Sequence, residues 1–471
     1  MVGITSCGAW VPVYRMSREL FHNVWGGPRF PGEKAVANFD EDSITMGVQA
    51  AINCISGKNR NEIDAVFFAS TTSPYKEKMG SSMIAASIDL KKEIFTSDFA
   101  HTIRSGTIAL NGAVQAAKSG SVKSVLVVAS DCRLAQPQSQ NERIFGDGAV
   151  AVTVGTHGVI AEILDHYSIA DDFTDLWRLD KDDFQRSWEE RFTLSHGYMT
   201  DMGTCISELL KKAKLELKHL AKAMIYAPDP RSHSALVKSI GFTADQVADP
   251  IFLNVGNTGT AFALMMFVAV LEDSKPGDII LLGNYGYGAD AFLFRVTEEI
   301  KQLKPTQGTK RLLKRKISLS SYERFLSLRN LIEKEAPRRE EMPTSLPVIW
   351  RQRKEILALK GDQCRKCGTI HFPKQRVCAN CKSKDDFEEV DFSNRKGKVF
   401  TFNIDELALS QDPPTVASIV DFEGGGRLFC VMTDRDPNAI HIGMEVEMTF
   451  RRMSFSNGIY NYFWKGRPVM R

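Results

Sequence analysis

The chain has 471 residues, too many for one hydrophobic core and enough for two or three domains. With 43% hydrophobic residues, 25% charged residues and a formal net charge of +3, it has no charge excess that would argue for nucleic acid or a membrane surface as partner. No run approaches the ~20 apolar residues of a membrane span. The N-terminus passes straight into a strand-like stretch at Val2-Gly3-Ile4, so no signal peptide is expected. Four of the nine cysteines cluster in the last third, which points to metal binding rather than a disulfide framework and to a reducing, cytoplasmic setting.

From the N-terminus onward, four segments of residues 60–155 recur in the same order in residues 220–297. Ala65-Val66-Phe67-Phe68-Ala69-Ser70-Thr71 corresponds to Ala223-Met224-Ile225-Tyr226-Ala227-Pro228-Asp229, each reading as a buried strand that runs into a turn. The small-residue turns at Ser105-Gly106-Thr107 and Thr258-Gly259-Thr260 each open an apolar helix, with Ser105 and Thr258 expected as N-caps. Ser124–Ala129 pairs with Asp278–Gly283, and Gly148–Val154 with Ala289–Arg295. Apolar runs without alternation imply sheets covered on both faces, so the first 300 residues are expected to be a duplicated, layered α/β module with halves 1–155 and 156–300. Helix N-termini offer unpaired N–H groups, and two such turns would meet at one pocket.

These residues resemble the thiolase superfamily, and within it the 3-hydroxy-3-methylglutaryl-CoA synthase branch. The carrying segments are Thr102–Leu110, Asp172–Arg178, Arg191-Phe192-Thr193 with Tyr198, Gly256-Asn257-Thr258 and Asn284–Phe292. The resemblance implies an acyl-CoA substrate, a homodimer or larger assembly, and three catalytic residues that this chain lacks. Ile103 stands in the cysteine slot, Thr71 in the glutamate slot and Tyr226 in the histidine slot, while Asn257 keeps the asparagine slot. An isoleucine cannot attack a thioester, and Cys7, Cys54, Cys132 and Cys205 match no motif.

The superfamily also holds cysteine-free aldolases that use tyrosines and work with a zinc-ribbon/OB-fold partner. The resemblance therefore implies aldol or retro-aldol chemistry on a 3-hydroxyacyl-CoA. Its candidate residues are Tyr226 and Tyr287 for the proton, Asn257 for the thioester oxygen, and Tyr285, Tyr198 and His101 beside them; His196 ranks lower. Two other readings stand next to it: a condensing synthase served by another cysteine, and a non-catalytic scaffold or activator for a catalytic thiolase-like partner.

Residues 301–343 carry Lys310-Arg311, Lys314-Arg315-Lys316 and Arg338-Arg339, a basic, helix-prone connector read as a linker rather than a dock for CoA phosphates. Within the next segment, expected over 344–390, Cys364-Arg365-Lys366-Cys367 and Cys378-Ala379-Asn380-Cys381 stand ten residues apart. Two such knuckles supply four thiolates to one tetrahedral zinc ion and leave no position for water, so the metal is expected to be structural. Short strands follow over 391–471, separated by Asp412-Pro413-Pro414 and Gly424-Gly425-Gly426, which suggests a small antiparallel barrel. Zinc ribbon plus barrel resembles the zinc-ribbon/OB-fold family that accompanies thiolase-type proteins. No basic and aromatic stripe argues for nucleic acid.

Overall fold

A computed structural model describes residues 1–303, 308–335 and 343–470. The chain divides into two compact units: the first holds Met1–Ala37, Asp42–Ile84 and Leu90–Tyr322, and the second holds Asn38–Glu41, Ala85–Asp89 and Glu323–Arg471.

The first unit is built on a nine-stranded mixed sheet. Its strands in chain order are β1 (Gly3–Trp10), β2 (Ala65–Ala69), β3 (Phe95–Phe99), β4 (Ser124–Asp131), β5 (Gly148–Gly155), β6 (Ala161–Ala170), β7 (Lys222–Ile225), β8 (Ile279–Tyr285) and β9 (Gly288–Val296). They lie in the order β7-β8-β9-β6-β1-β5-β4-β2-β3. The duplication is visible in the pairing. β2 runs parallel to β4, which is antiparallel to β5, which is antiparallel to β1. In the second half β7, β8, β9 and β6 repeat that sequence of orientations. The halves meet through two residue pairs of β1 and β6.

Helices cover both faces. Among them are α1 (Ser43–Ile55), α2 (Ser105–Lys118), α3 (Met199–Ala213), α4 (Pro230–Ile240) and α5 (Phe262–Leu271). The apolar α5, Phe-Ala-Leu-Met-Met-Phe-Val-Ala-Val-Leu, is buried almost throughout, as an all-round hydrophobic helix must be. The expected N-caps do not form. Ser105 is already inside α2 and donates to Ala100 O at 2.9 Å, while Thr258 donates to Met265 Sδ at 3.4 Å. In both turns a nearby acceptor takes the hydroxyl, and no helix N–H is capped by it. The expected layered, duplicated α/β architecture is thus present.

Of the connector, Thr309–Lys314 and Tyr322–Leu328 are short helices; Arg338-Arg339 lies outside the described residues. In the second unit, β10 (Lys360–Cys364), β11 (Ile370–His371) and β12 (Phe387–Asp391) form a small antiparallel sheet in the order β11-β10-β12. Five longer strands follow: β13 (Gly397–Asp405), β14 (Thr415–Phe422), β15 (Arg427–Val431), β16 (Glu445–Ser456) and β17 (Ile459–Pro468), in the order β15-β14-β13-β16-β17. A bridge from Met432 to Gly466 brings the two edge strands together, giving the OB-type barrel. β14 alternates half-exposed and buried residues along its whole length, the period-2 pattern of a one-sided strand. Inside this unit Arg451, fully buried, is neutralised by Asp40 (3.0 Å), Glu41 (3.2 Å) and Asp434, as a buried guanidinium requires.

Candidate active site and zinc centre

Where the sheet strands of the first unit end, a cavity of about 180 Å³ opens. Its inner wall carries Tyr198, Tyr226, Asn257, Tyr285 and Asp175. Each arrives from a different place: Tyr226 directly follows β7, Tyr285 ends β8, and Tyr198 precedes α3. Asn257 sits in a turn between two left-handed glycines, Gly256 (φ 81°) and Gly259 (φ 62°). A Cβ on Gly259 would stand 2.3 Å from Asp131 Oδ2, so the turn closes on β4 only with glycine there.

Asn257 uses all of its amide. Its Oδ1 accepts from Arg133 Nη2 (2.7 Å) and from the Gly259 N–H (3.0 Å). Both partners can only donate, so the oxygen must face them and Nδ2 must face the other way. There Nδ2 donates to Tyr226 Oη (3.0 Å) and to Ala227 O (3.2 Å). Tyr226 Oη is therefore an acceptor in this bond, and its own proton is left for another acceptor. Burial pushes the Tyr226 phenol up to about 12, despite the nearby Arg133 cation, so at neutral pH Tyr226 is a donor and not a phenolate.

On the facing side Asp175 is buried and accepts from the Leu176 N–H at 2.6 Å. Burial raises its carboxyl above the usual range. Burial, with Asp175 next, also raises the phenol of Tyr285. The buried Tyr285 hydroxyl makes no hydrogen bond of good geometry. Gly197 leaves room for it, since a Cβ there would meet Tyr285 Oη at 2.4 Å and Phe173 at 2.7 Å. Tyr198 donates to Tyr226 O at 2.7 Å and packs edge-on to Tyr285 with centroids 5.5 Å apart; it positions the other two.

The remaining sequence candidates lie outside this lining. Tyr287 has φ 52°, and its hydroxyl donates to Leu176 O at 3.1 Å. His101 is exposed, with φ 73°. Ile103 is packed in the hydrophobic core. Thr71 donates to Asp131 Oδ2 at 3.0 Å. The same buried Asp131 carboxylate also accepts from Ser70 Oγ, Thr71 N, Thr72 Oγ1 and Thr260 N. It thereby holds the turn after β2 against the turn of Asn257. Sequence reasoning assigned no role to Asp131, Arg133 or Asp175. The only signal for Asp175 was its place in the Asp172–Arg178 segment.

In the second unit, the sulfurs of Cys364, Cys367, Cys378 and Cys381 lie within 4.8 Å of one another, with Cys364–Cys381 at 3.6 Å and Cys367–Cys378 at 3.5 Å. Tetrahedral zinc with Zn–S bonds of about 2.3 Å sets its sulfurs about 3.8 Å apart, so the donors fit. Each knuckle is a tight turn, closed by Gly368 N–H to Cys364 O (2.8 Å) and Lys382 N–H to Cys378 O (3.1 Å). The Cys381 backbone N–H, ahead of other contacts, holds the Cys378 thiol down to about 5. Four protein thiolates complete the shell, which makes the zinc structural.

Comparisons with known proteins agree with both halves of this description. The family model for 3-oxoacyl-[acyl-carrier-protein (ACP)] synthase III matches residues 97–171. The ChsH2 rubredoxin-like zinc ribbon domain matches 351–388, and the ChsH2 C-terminal OB-fold domain matches 389–451. The hydroxymethylglutaryl-CoA synthase of Aeropyrum pernix is 33% identical over 330 residues, covering 67% of this chain and 91% of that protein. Its counterpart in Methanopyrus kandleri is 31% identical over 318 residues, covering 64% and 90%. Among solved structures, HMG-CoA synthase complexed with CoA aligns with a TM-score of 0.65 at 20% identity, covering 73% of this chain and 94% of that one. The 3-oxoacyl-[acyl-carrier-protein] synthase III of Aquifex aeolicus aligns at 0.57 and 21%, covering 63% and 100%.

Proposed function

This chain belongs to the hydroxymethylglutaryl-CoA synthase family, and from that premise we propose that it makes or breaks a carbon–carbon bond on an acyl-CoA thioester. The step proposed is an aldol or retro-aldol reaction of a 3-hydroxyacyl-CoA, run without a cysteinyl acyl-enzyme. The observation that carries it is the Tyr226 hydroxyl, compelled by Asn257 to accept and so left with a proton for a ligand.

In the cleavage direction Asp175, beside Tyr285, takes the proton of the 3-hydroxyl. The C2–C3 bond then breaks, an aldehyde or ketone leaves, and its electron pair becomes the enolate of the shortened thioester. Tyr226 donates to the enolate oxygen, and a proton returned to C2 completes the acyl-CoA. A carboxyl that burial makes a better proton acceptor suits this exchange, and a pre-set buried donor suits the enolate. Asn257, whose donors are spent on Tyr226 and Ala227, positions Tyr226 instead of holding the thioester oxygen.

A condensing synthase needs a thiolate. In the first unit Cys7, Cys54 and Cys205 are buried, and burial pushes the thiols of Cys54 and Cys205 up to about 12. Cys132, half-buried, lies outside the cavity lining. No helix among the described residues is long and apolar enough to cross a membrane; we place the enzyme in the cytoplasm, as a homodimer or larger.

The test is to incubate the purified chain with 3-hydroxyacyl-CoA esters and follow aldehyde or ketone release, beside Tyr226→Phe and Asp175→Asn. Loss of a pre-set oxyanion donor costs about 10²–10³-fold in kcat, and that drop is expected for Tyr226→Phe. Cleavage unchanged in Tyr226→Phe would remove that residue's role. Inactivation by alkylation of Cys132, with a trapped acyl-enzyme mass, would establish the synthase. No cleavage of any ester would leave the scaffold of a thiolase-like partner.

A further inference from the structure

The cavity also has a chemical character beyond its inner wall. Its apolar surface comes from Ile144, Phe145, Leu176, Leu194 and the indole of Trp188. Trp188 is 62% exposed, so part of its ring stands free on the solvent side of the lining. Three carboxyl groups, Asp175, Glu190 and Asp229, complete the ionisable part of the lining, and among the described residues it includes no lysine, arginine or histidine. Arg133, a buried cation behind Asn257 of the lining, is already engaged. Its guanidinium bonds Asn257 O and Oδ1 and Gln185 Oε1 and lies 4.0 Å from the centroid of the Phe145 ring. Asp229 is likewise engaged, capping α4 through the N–H groups of Arg231 (2.8 Å) and Ser232 (3.0 Å).

We infer that the fragment held in this cavity is an uncharged carbonyl compound, and that the acidic lining rejects a free carboxylate. The inference rests on the acyl-thioester reading above and narrows its substrate class. The volume of about 180 Å³ gives room for a fragment of the size of benzene, which fills a cavity of ~150 Å³. Charge follows from the lining: an anion would be desolvated there without a cationic partner and beside like charges. A neutral aliphatic or aromatic fragment would cover Leu194 and Trp188 and cost nothing electrostatically.

The experiment measures binding first and turnover second, on the full chain at pH 7, with three probes. 3-Hydroxyhexanoyl-CoA and 3-hydroxy-3-phenylpropanoyl-CoA are uncharged in the acyl part, and 3-hydroxyadipoyl-CoA ends the six-carbon chain in a carboxylate. The two neutral esters are expected to bind at least about tenfold tighter than the adipoyl ester. Glu190→Lys, an exposed position with no part in the proposed proton transfers, is expected to shrink that gap. Equal binding of all three, or tighter binding of the carboxylate, overturns the inference even if cleavage proceeds. A gap that Glu190→Lys leaves unchanged overturns the acidic lining as its cause. A neutral preference in binding with no cleavage of any ester removes the aldol reading and leaves the pocket assignment standing.

Discussion

The cavity of the first unit and the cysteine cluster of the second both gather polar side chains out of water, and they are completed in opposite ways. In the cluster four sulfurs converge within 4.8 Å, and one ion satisfies them all. In and beside the cavity the accounting stays open. The Tyr285 hydroxyl, beside Asp175, makes no hydrogen bond of good geometry and Asp201 Oδ2 is buried with none, and among the described residues the Tyr226 proton is given to no acceptor. Buried polar groups are nearly always paired, so an unfinished set marks a place that a ligand completes, whereas a finished one marks a staple. Stability should therefore follow the cluster and chemistry the cavity.

The largest effect should come from breaking the staple. Cys364→Ser, or removal of the metal by a chelator, is expected to unfold the ribbon, because structural zinc contributes on the order of 10 kcal/mol in comparable small sites. Metal content and thermal melting check this, and a ribbon that melts unchanged without zinc would undo the contrast. Next is Tyr226→Phe, expected to lower kcat about 10²–10³-fold while moving the melting temperature little, since Asn257 Nδ2 keeps Ala227 O. A variant that lost stability in proportion to activity would make Tyr226 a packing residue.

Gly197→Ala sharpens the same point at smaller scale. Its Cβ would meet Tyr285 Oη at 2.4 Å, and overpacking of this kind costs about 1–3 kcal/mol. Adding Tyr285→Phe should recover part of that loss, as read in a double-mutant denaturation series. The smallest effect is a pH profile. Burial raises Asp201 from 3.8 to about 6, so between those values the folded state holds a proton the unfolded chain has released. Its contribution to stability is complete below pH 3.8 and is lost as pH rises through about 6. Asp201→Asn should flatten the decline over that window in melts taken at stepped pH.

The two sites also differed in how far they could be read from the sequence. The zinc ligands come in two pairs, each three residues apart, and local chain geometry brings each pair to one side of a tight turn, so spacing sufficed. The duplication was legible for a similar reason: strands covered on both faces leave uninterrupted apolar runs. The cavity draws on residues 139–145, 175–198, 226–232, 257 and 285, and no periodicity links those segments. Tyr226, Tyr285, Tyr198 and Asn257 were reachable because the family resemblance marked their turns. Asp175 was hidden as one of several acidic residues in a polar stretch, and Arg133 had no motif. Tyr287, two residues from Tyr285, faces elsewhere because Gly286 at φ 151° and Tyr287 at φ 52° reverse the chain and break the alternation that would have put both rings on one side.

What the sequence determined by itself is local or repetitive: the zinc donors, the four segments that recur in both halves, the short strands of the barrel, and the absence of a thiol at Ile103. What only the tertiary structure decided is which groups are buried together and which hydrogen bonds are already spent. Those depend on distances between segments far apart in the chain, and they commit the Asn257 amide to Tyr226 Oη and Ala227 O.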